Sequence, residues 1–311
     1  MGNEHMGKSE RDHIAWRWRL LAAILATAAV YSTMAIAGVD RGLTEGLRLA
    51  AELVVFAVAA VIGYAAARQF EKGVKTRLTW VFISIGAALF FVADVGLYLS
   101  SVTAGSGVAS AGLLSAVGAI TLSRVLLACG LWMVVKVYRD SGLPLRLTRY
   151  DNGAMVVFGA LNFLTVILGA NTVRLLLSHA GTNLTHLVIM ICLPLPPGLA
   201  VCSVFAVIIW RYARQMGGGL VAKAWSGVLV YMVALPVRTV LIGLTPYLLG
   251  KDSALLWITG TISFLGLALA GWALYLGASY QYEACTMEVP SEIDFSAAHS
   301  ETAEQNVRLK A

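Results

Sequence analysis

The chain has 311 residues, of which 59% are hydrophobic and only 13% charged, about half the charged share of an ordinary soluble domain. Long uncharged runs and a mean hydropathy of +0.77 make lipid the main solvent and leave no segment for a sizeable soluble domain. The net charge of +6 does not point to nucleic acid, because the Lys and Arg residues sit at the ends of the apolar runs, where membrane topology wants them.

The apolar runs predict an all-α, polytopic membrane bundle of about eight transmembrane helices. Their approximate ranges are 18–39, 47–67, 78–101, 108–135, 153–177, 184–210, 222–249 and 254–280. The transmembrane domain is read as 18–283, after a cytoplasmic N-terminal segment at 1–17. The acidic tail at 284–311 (Glu288, Glu292, Asp294, Glu301, Glu304) is poor in large apolar residues and is expected to be disordered.

Basic residues alternate between loops. The N-terminus carries Lys8, Arg11, Arg17 and Arg19; Arg68, Lys72, Lys75 and Arg77 follow helix 2, and Lys136, Arg139, Arg146 and Arg149 follow helix 4. Arg211, Arg214 and Lys223 follow helix 6, and the intervening loops are poor in charge. The N-terminus and the even-numbered loops are therefore expected in the cytoplasm, and the C-terminus with them. Helix 1 ends at Ala35-Ile36-Ala37, a passable signal-peptidase site. Its apolar core exceeds the 7–15 residues or so of a signal peptide, which favours retention; cleavage would leave seven helices. The start Met1-Gly2 lacks the Ser or Thr a myristoylation signal needs, since Met6 stands there.

A duplication is suggested by Ala67-Arg68-Gln69-Phe70 after helix 2 and Ala213-Arg214-Gln215-Met216 after helix 6. Trp80 and Trp225 follow at the starts of helices 3 and 7, and a four-plus-four tandem repeat would explain both pairs. The habit of placing Arg and Trp at membrane interfaces would do so as well.

Four charges interrupt apolar runs: Glu52 in helix 2, Asp94 in helix 3, Arg124 in helix 4 and Arg238 in helix 7. Each costs about 2.5–3.5 kcal/mol at a helix centre and is kept because it pairs or works. At about 1.5 Å of rise per residue, Asp94 and Arg238 lie about 24 and 22 Å along their helices, and Glu52 is near the outer end of its own. These three are expected to share the outer part of the membrane, with Arg124 near the middle. Asn171 and His186 fall at similar depth. Pro194, Pro196 and Pro197 remove three backbone donors from the helix 6 run and predict a kink or break there, with Pro236 adding a distortion two residues before Arg238. Together these residues predict a polar pocket in the outer half of the bundle, unless the two acids and two bases are simply salt bridges that fix packing. Asp94 and Arg124, on consecutive helices, are then the expected structural pair.

No cofactor is indicated. Paired His on facing helices, as a b-type haem needs, are missing; helix 8 has no Lys for a retinal Schiff base; and Gly217-Gly218-Gly219 lacks the Lys-Ser/Thr of a phosphate loop. The four cysteines (Cys129, Cys192, Cys202, Cys285) form no CxxC pair, and no metal site is expected. Asn183-Leu184-Thr185 fits the glycosylation pattern on the expected outer side.

Three functions fit this layout. An intramembrane enzyme would use Glu52 as a protonated general acid on a lipophilic or amphipathic small molecule. Asp94, held ionised by Arg124 or Arg238, would steady a developing cation or take back a proton, and Trp132, Trp272, Tyr98 and Tyr275 would line the pocket. A secondary transporter would use the charges and the broken helix, but the first half has no proline to match the run in helix 6. A sensor suits the pocket, but the tail carries no output domain. In size, helix number, short loops and acids within early helices, the chain resembles the small integral-membrane terpene cyclases of meroterpenoid pathways. That resemblance is one of layout rather than motif and carries no catalytic residue across; it implies acid-started isoprenoid cyclisation. The expected partners are the small molecule and membrane lipid.

Overall fold

The computed structural model describes residues 8–102, 107–142, 145–180, 195–215, 219–249 and 256–286. These form eight helices and no strand: α1 (Lys8–Ile36), α2 (Arg41–Arg68), α3 (Lys75–Val102), α4 (Gly107–Asp140), α5 (Arg149–Ala180), α6 (Leu195–Gln215), α7 (Gly219–Leu249) and α8 (Leu256–Thr286). Among the described residues, six helices carry a stretch long and apolar enough to cross a membrane: Ala15–Ile36, Gly42–Arg68, Lys75–Gly96, Leu114–Asp140, Gly219–Arg238 and Ile258–Thr286. The protein is a multi-pass membrane helical bundle.

Several ends differ from the sequence reading, for local reasons. α2 starts at Arg41, six residues early, because Asp40 caps it: its carboxylate accepts from the Leu43 amide at 3.1 Å. α1 starts at Lys8, ten residues early, and is tied to α8 in its third turn. Arg17 is buried, donates to Ser279 Oγ at 2.8 Å, ion-pairs with Glu283 and lies 4.1 Å over the Tyr280 ring. Its own carbonyl accepts from Trp272 Nε1 at 3.2 Å. Helix 1 is therefore an integral member of the bundle described here.

Six helices close a ring in the order α2, α3, α4, α6, α7, α8 and back to α2, with α1 laid on α8 and α2, and α5 on α6 and α7. Small residues set the tightest crossings. A Cβ at Gly96 would stand 2.6 Å from the Gly112 carbonyl oxygen, and one at Gly227 would stand 2.6 Å from the Gly277 nitrogen. Without water to squeeze out, helices in lipid gain from this close backbone approach. Trp80 of α3 and Trp225 of α7 meet in the ring's core at 5.5 Å, so the residues that suggested a duplication occupy facing positions. The two triplets α2–α4 and α6–α8 follow one another around the ring as a duplicated unit would. Their fourth members differ, since α1 lies on α8 and α2 whereas α5 lies on α6 and α7.

The proline run falls at the start of α6: Pro196 and Pro197 belong to its first turn, where a missing N–H costs nothing, and Pro194 lies outside the described residues. Pro236 lies inside α7, which continues through it. The carbonyl four residues back, that of Met232, loses its helical donor and instead accepts from Ser203 Oγ of α6 at 3.4 Å.

Candidate functional site

The helix crossings fix which residues share a level. Along the antiparallel α2–α3 seam, Gly63 faces Ser84 and Gly46 faces the Tyr98 hydroxyl, so Glu52 stands level with Asp94. On the parallel α2–α8 seam, Gly271 faces Val55 and Phe56, which puts Glu52 level with residue 267 or 268, within a turn of Gly266. Gly266 is where Arg238 crosses: a Cβ there would meet the Arg238 Cβ at 2.8 Å. Glu52, Asp94 and Arg238 thus converge at one level, toward the end of the bundle where α2 and α8 begin.

Around them are two polar networks. Arg48 Nε donates to Glu45 Oε2 at 2.7 Å, and Arg48 Nη1 to Glu52 Oε1 at 3.1 Å. The Tyr31 hydroxyl of α1 donates to Glu45 Oε1 at 3.2 Å. Arg238 is held from the other side, donating through Nε to the Ser263 carbonyl at 2.9 Å and through Nη2 to Ser263 Oγ at 2.6 Å. Glu52 is wholly buried and Asp94 nearly so. Asp94 Oδ2 has no hydrogen-bond partner, and Asp94 has no ion pair among the described residues. The charges of Arg238 and Arg48 nevertheless reach it, as they reach Glu52. Among the described residues the cluster holds three acids (Glu45, Glu52, Asp94) against two bases (Arg48, Arg238). Glu45 and Arg48 keep part of their side chains exposed, whereas Glu52 and Asp94 are buried, and negative charge on both of these is costly unless a base, a proton or a cation balances it.

Arg124 is elsewhere. The α3–α4 seam pairs Thr79 Oγ1 with the Gly130 carbonyl at 2.9 Å and Ser123 Oγ with the Gly86 carbonyl at 3.1 Å. In this register Arg124 stands opposite residue 85, nine residues or about 13 Å from the level of Asp94. The expected Asp94–Arg124 pair is therefore not formed. The Arg124 guanidinium instead lies 5.0 Å over the Phe90 ring and 6.0 Å from the Tyr231 centroid, with Nε and Nη1 lacking hydrogen-bond partners among the described residues. Phe90 is in turn stacked on Phe56 at 5.2 Å and meets Tyr231 edge-on at 6.2 Å. Aromatic faces substitute for a counter-ion here.

Of the other sequence candidates, His186, Asn183 and Pro194 lie outside the described residues, and Asn171 belongs to α5 with its side chain outside them. Trp132 is half exposed and packs on Phe205 at 5.5 Å, so it lines no site with Trp272, which caps the Arg17 carbonyl. Sequence reasoning missed Glu45, Arg48, Tyr31 and Ser263. The spacing of Glu45, Arg48 and Glu52, three and four residues apart on one helix face, was the available signal. Among the described residues, no three His, Cys, Asp or Glu side chains converge to hold a metal ion. No protein-family model, curated protein or solved structure matches this chain.

Proposed function

We propose that this multi-pass membrane protein handles a proton at the Glu52–Asp94–Arg238 level and uses it in acid–base chemistry on a lipophilic small molecule, isoprenoid cyclisation being one such reaction. The observation that carries the reading is the unpartnered, buried Asp94 Oδ2 in a cluster with one acid too many. The roles differ from the sequence expectation. Glu52 is tied to Arg48 and serves as the fixed anion; Asp94 is the group that gains and gives the proton. Arg238, anchored by Ser263, stabilises negative charge that appears when the proton leaves.

One observation favours a second reading, proton-coupled transport. The cluster joins the two triplets, with Glu52 and Asp94 on one and Arg238 and Ser263 on the other, and transporters place coupling sites at such interfaces.

Asp94→Asn separates the two readings. For the enzyme, the folded variant makes a lipophilic metabolite vanish from host membranes while its precursor accumulates, and purified protein converts that precursor. For the transporter, wild-type proteoliposomes acidify when a substrate gradient is imposed, the variant's do not, and no metabolite is converted. Wild-type behaviour of Asp94→Asn in both assays would refute proton handling at this residue.

A further inference from the structure

A second feature lies at the opposite end of α3, away from the acid cluster. The tight turn after α2, made through Gly73 at φ +95°, opens a cleft of about 270 Å³ lined by Lys72, Gly73, Val74, Lys75, Arg77, Leu78 and Val81. Three of these are cationic, and none of the three is in an ion pair among the described residues. The cleft sits where the apolar span Lys75–Gly96 begins, at the depth of a lipid headgroup.

Below it runs an apolar track. Val74, Leu78, Ile85 and Val92 are all more than 40% exposed, and with Val81 they recur at helical spacing down one face of α3. A cationic cleft continuous with a lipid-facing apolar stripe has the two-part chemistry of a phospholipid. The phosphate needs several positive donors, and the acyl chain needs an uninterrupted apolar path.

We infer that the α2–α3 turn is a binding site for an anionic phospholipid, with Lys72, Lys75 and Arg77 on the headgroup phosphate and the acyl chain along Leu78, Val81 and Ile85. A zwitterionic lipid fits the stripe equally well but brings a choline cation into a cleft that already holds three positive charges. Free phosphate satisfies the cations and leaves the stripe unused.

The test uses the full-length protein in detergent, titrated with phosphatidylglycerol, phosphatidylcholine or inorganic phosphate. Bound lipid is counted by native mass spectrometry and thermal unfolding is followed in parallel. The expected result is retention of phosphatidylglycerol and a raised Tm, with neither phosphatidylcholine nor phosphate having that effect. Each base near an anionic headgroup contributes appreciably, so Lys72→Gln/Lys75→Gln/Arg77→Gln should weaken phosphatidylglycerol binding on the order of tenfold or more. Lys136→Gln/Arg139→Gln/Arg149→Gln removes the same charge from exposed positions at the same end of the bundle and should retain binding. Equal loss in both triple variants, equal retention of the two lipids, or protection by phosphate alone would each overturn the inference. If the cleft variant fails to fold, salt decides on the wild-type protein: phosphatidylglycerol retention must fall as ionic strength rises, and retention indifferent to salt rejects the site.

Discussion

Two arginine clusters stand at opposite ends of this bundle, and they are built differently. At one end Arg17 Nε and Nη2 donate to Ser279 and Glu283, and Tyr280 covers the guanidinium face. Every charge there has a partner, and the result is a clamp between α1 and α8. At the other end Arg48 pairs with Glu45 and Glu52, Arg238 is held by Ser263 at the level of Glu52 and Asp94, and one oxygen of Asp94 has no hydrogen bond among the described residues. Charges kept only for packing should look like the first cluster, because an unbalanced buried charge costs more than its packing returns. The second departs from that pattern at Asp94, which is why the functional reading rests there rather than on Glu52, Arg124 or Arg17.

The largest effect expected is that of Glu52→Ala. Glu52 has no exposed surface, so its truncation leaves a cavity and takes one of the two carboxylate partners of Arg48, and unfolding in detergent should show a loss of about 3–5 kcal/mol. Replacing both partners, as Arg48→Met/Glu52→Leu, should cost clearly less than the single change. Arg17→Ala should follow at about 1.5–3 kcal/mol, the worth of hydrogen bonds to a charged group, since Glu283 is left partly exposed and regains water. If Arg17→Ala proves the costlier of the two, the acid cluster is not the tightly bound element described here.

The helical membrane bundle was legible in the sequence because apolar runs of about twenty residues are imposed by the membrane itself. So was the convergence of Glu52, Asp94 and Arg238, since rise per residue converts chain position into depth. Pairing was not legible. Their place on consecutive helices made Asp94 and Arg124 the expected structural pair although the chain positions already put them at different depths, and the crossings at Gly86, Gly96 and Gly130 fix the offset between them. Arg48 and Glu45 were passed over because they lie near a helix end, where charges are ordinary; that they turn inward depends on the way α2 packs on α1 and α8. The partners of Arg17 are some 260 residues away in the chain, a closure no local pattern encodes.

A smaller effect should appear at the loop between α4 and α5. Burial pushes the Asp151 carboxyl up, but the Thr148 amide at 2.6 Å, the Thr148 hydroxyl at 2.7 Å and the guanidinium groups of Arg211 and Arg214 outweigh it and hold it below the usual carboxylate value. A depressed carboxyl contributes stability that is fully present above its unfolded value, near about 3.9, and is lost as pH falls through its folded value. Melting curves in detergent from pH 6 downward should therefore decline below about pH 4 more steeply for the wild type than for Asp151→Asn. Parallel curves would mean that the contacts to Thr148 and Arg211 do not persist in solution.

The smallest stability effect, and the one that bears most on the comparison, is expected for Asp94→Asn. The side chains have the same shape, Oδ2 gives up no hydrogen bond, and the cluster loses the charge it had in excess, so the cost should stay below about 1 kcal/mol. A clamp residue behaves otherwise: were Asp94 the needed counter-ion of Arg238, its neutralisation would approach the cost of Glu52→Ala. Unfolding of the two variants side by side therefore ranks the carboxylates. A near-neutral Asp94→Asn with lost activity places Asp94 outside the structural charge balance and in the chemistry. A cost equal to that of Glu52→Ala makes the acid cluster a second clamp, alike in kind to the one at Arg17.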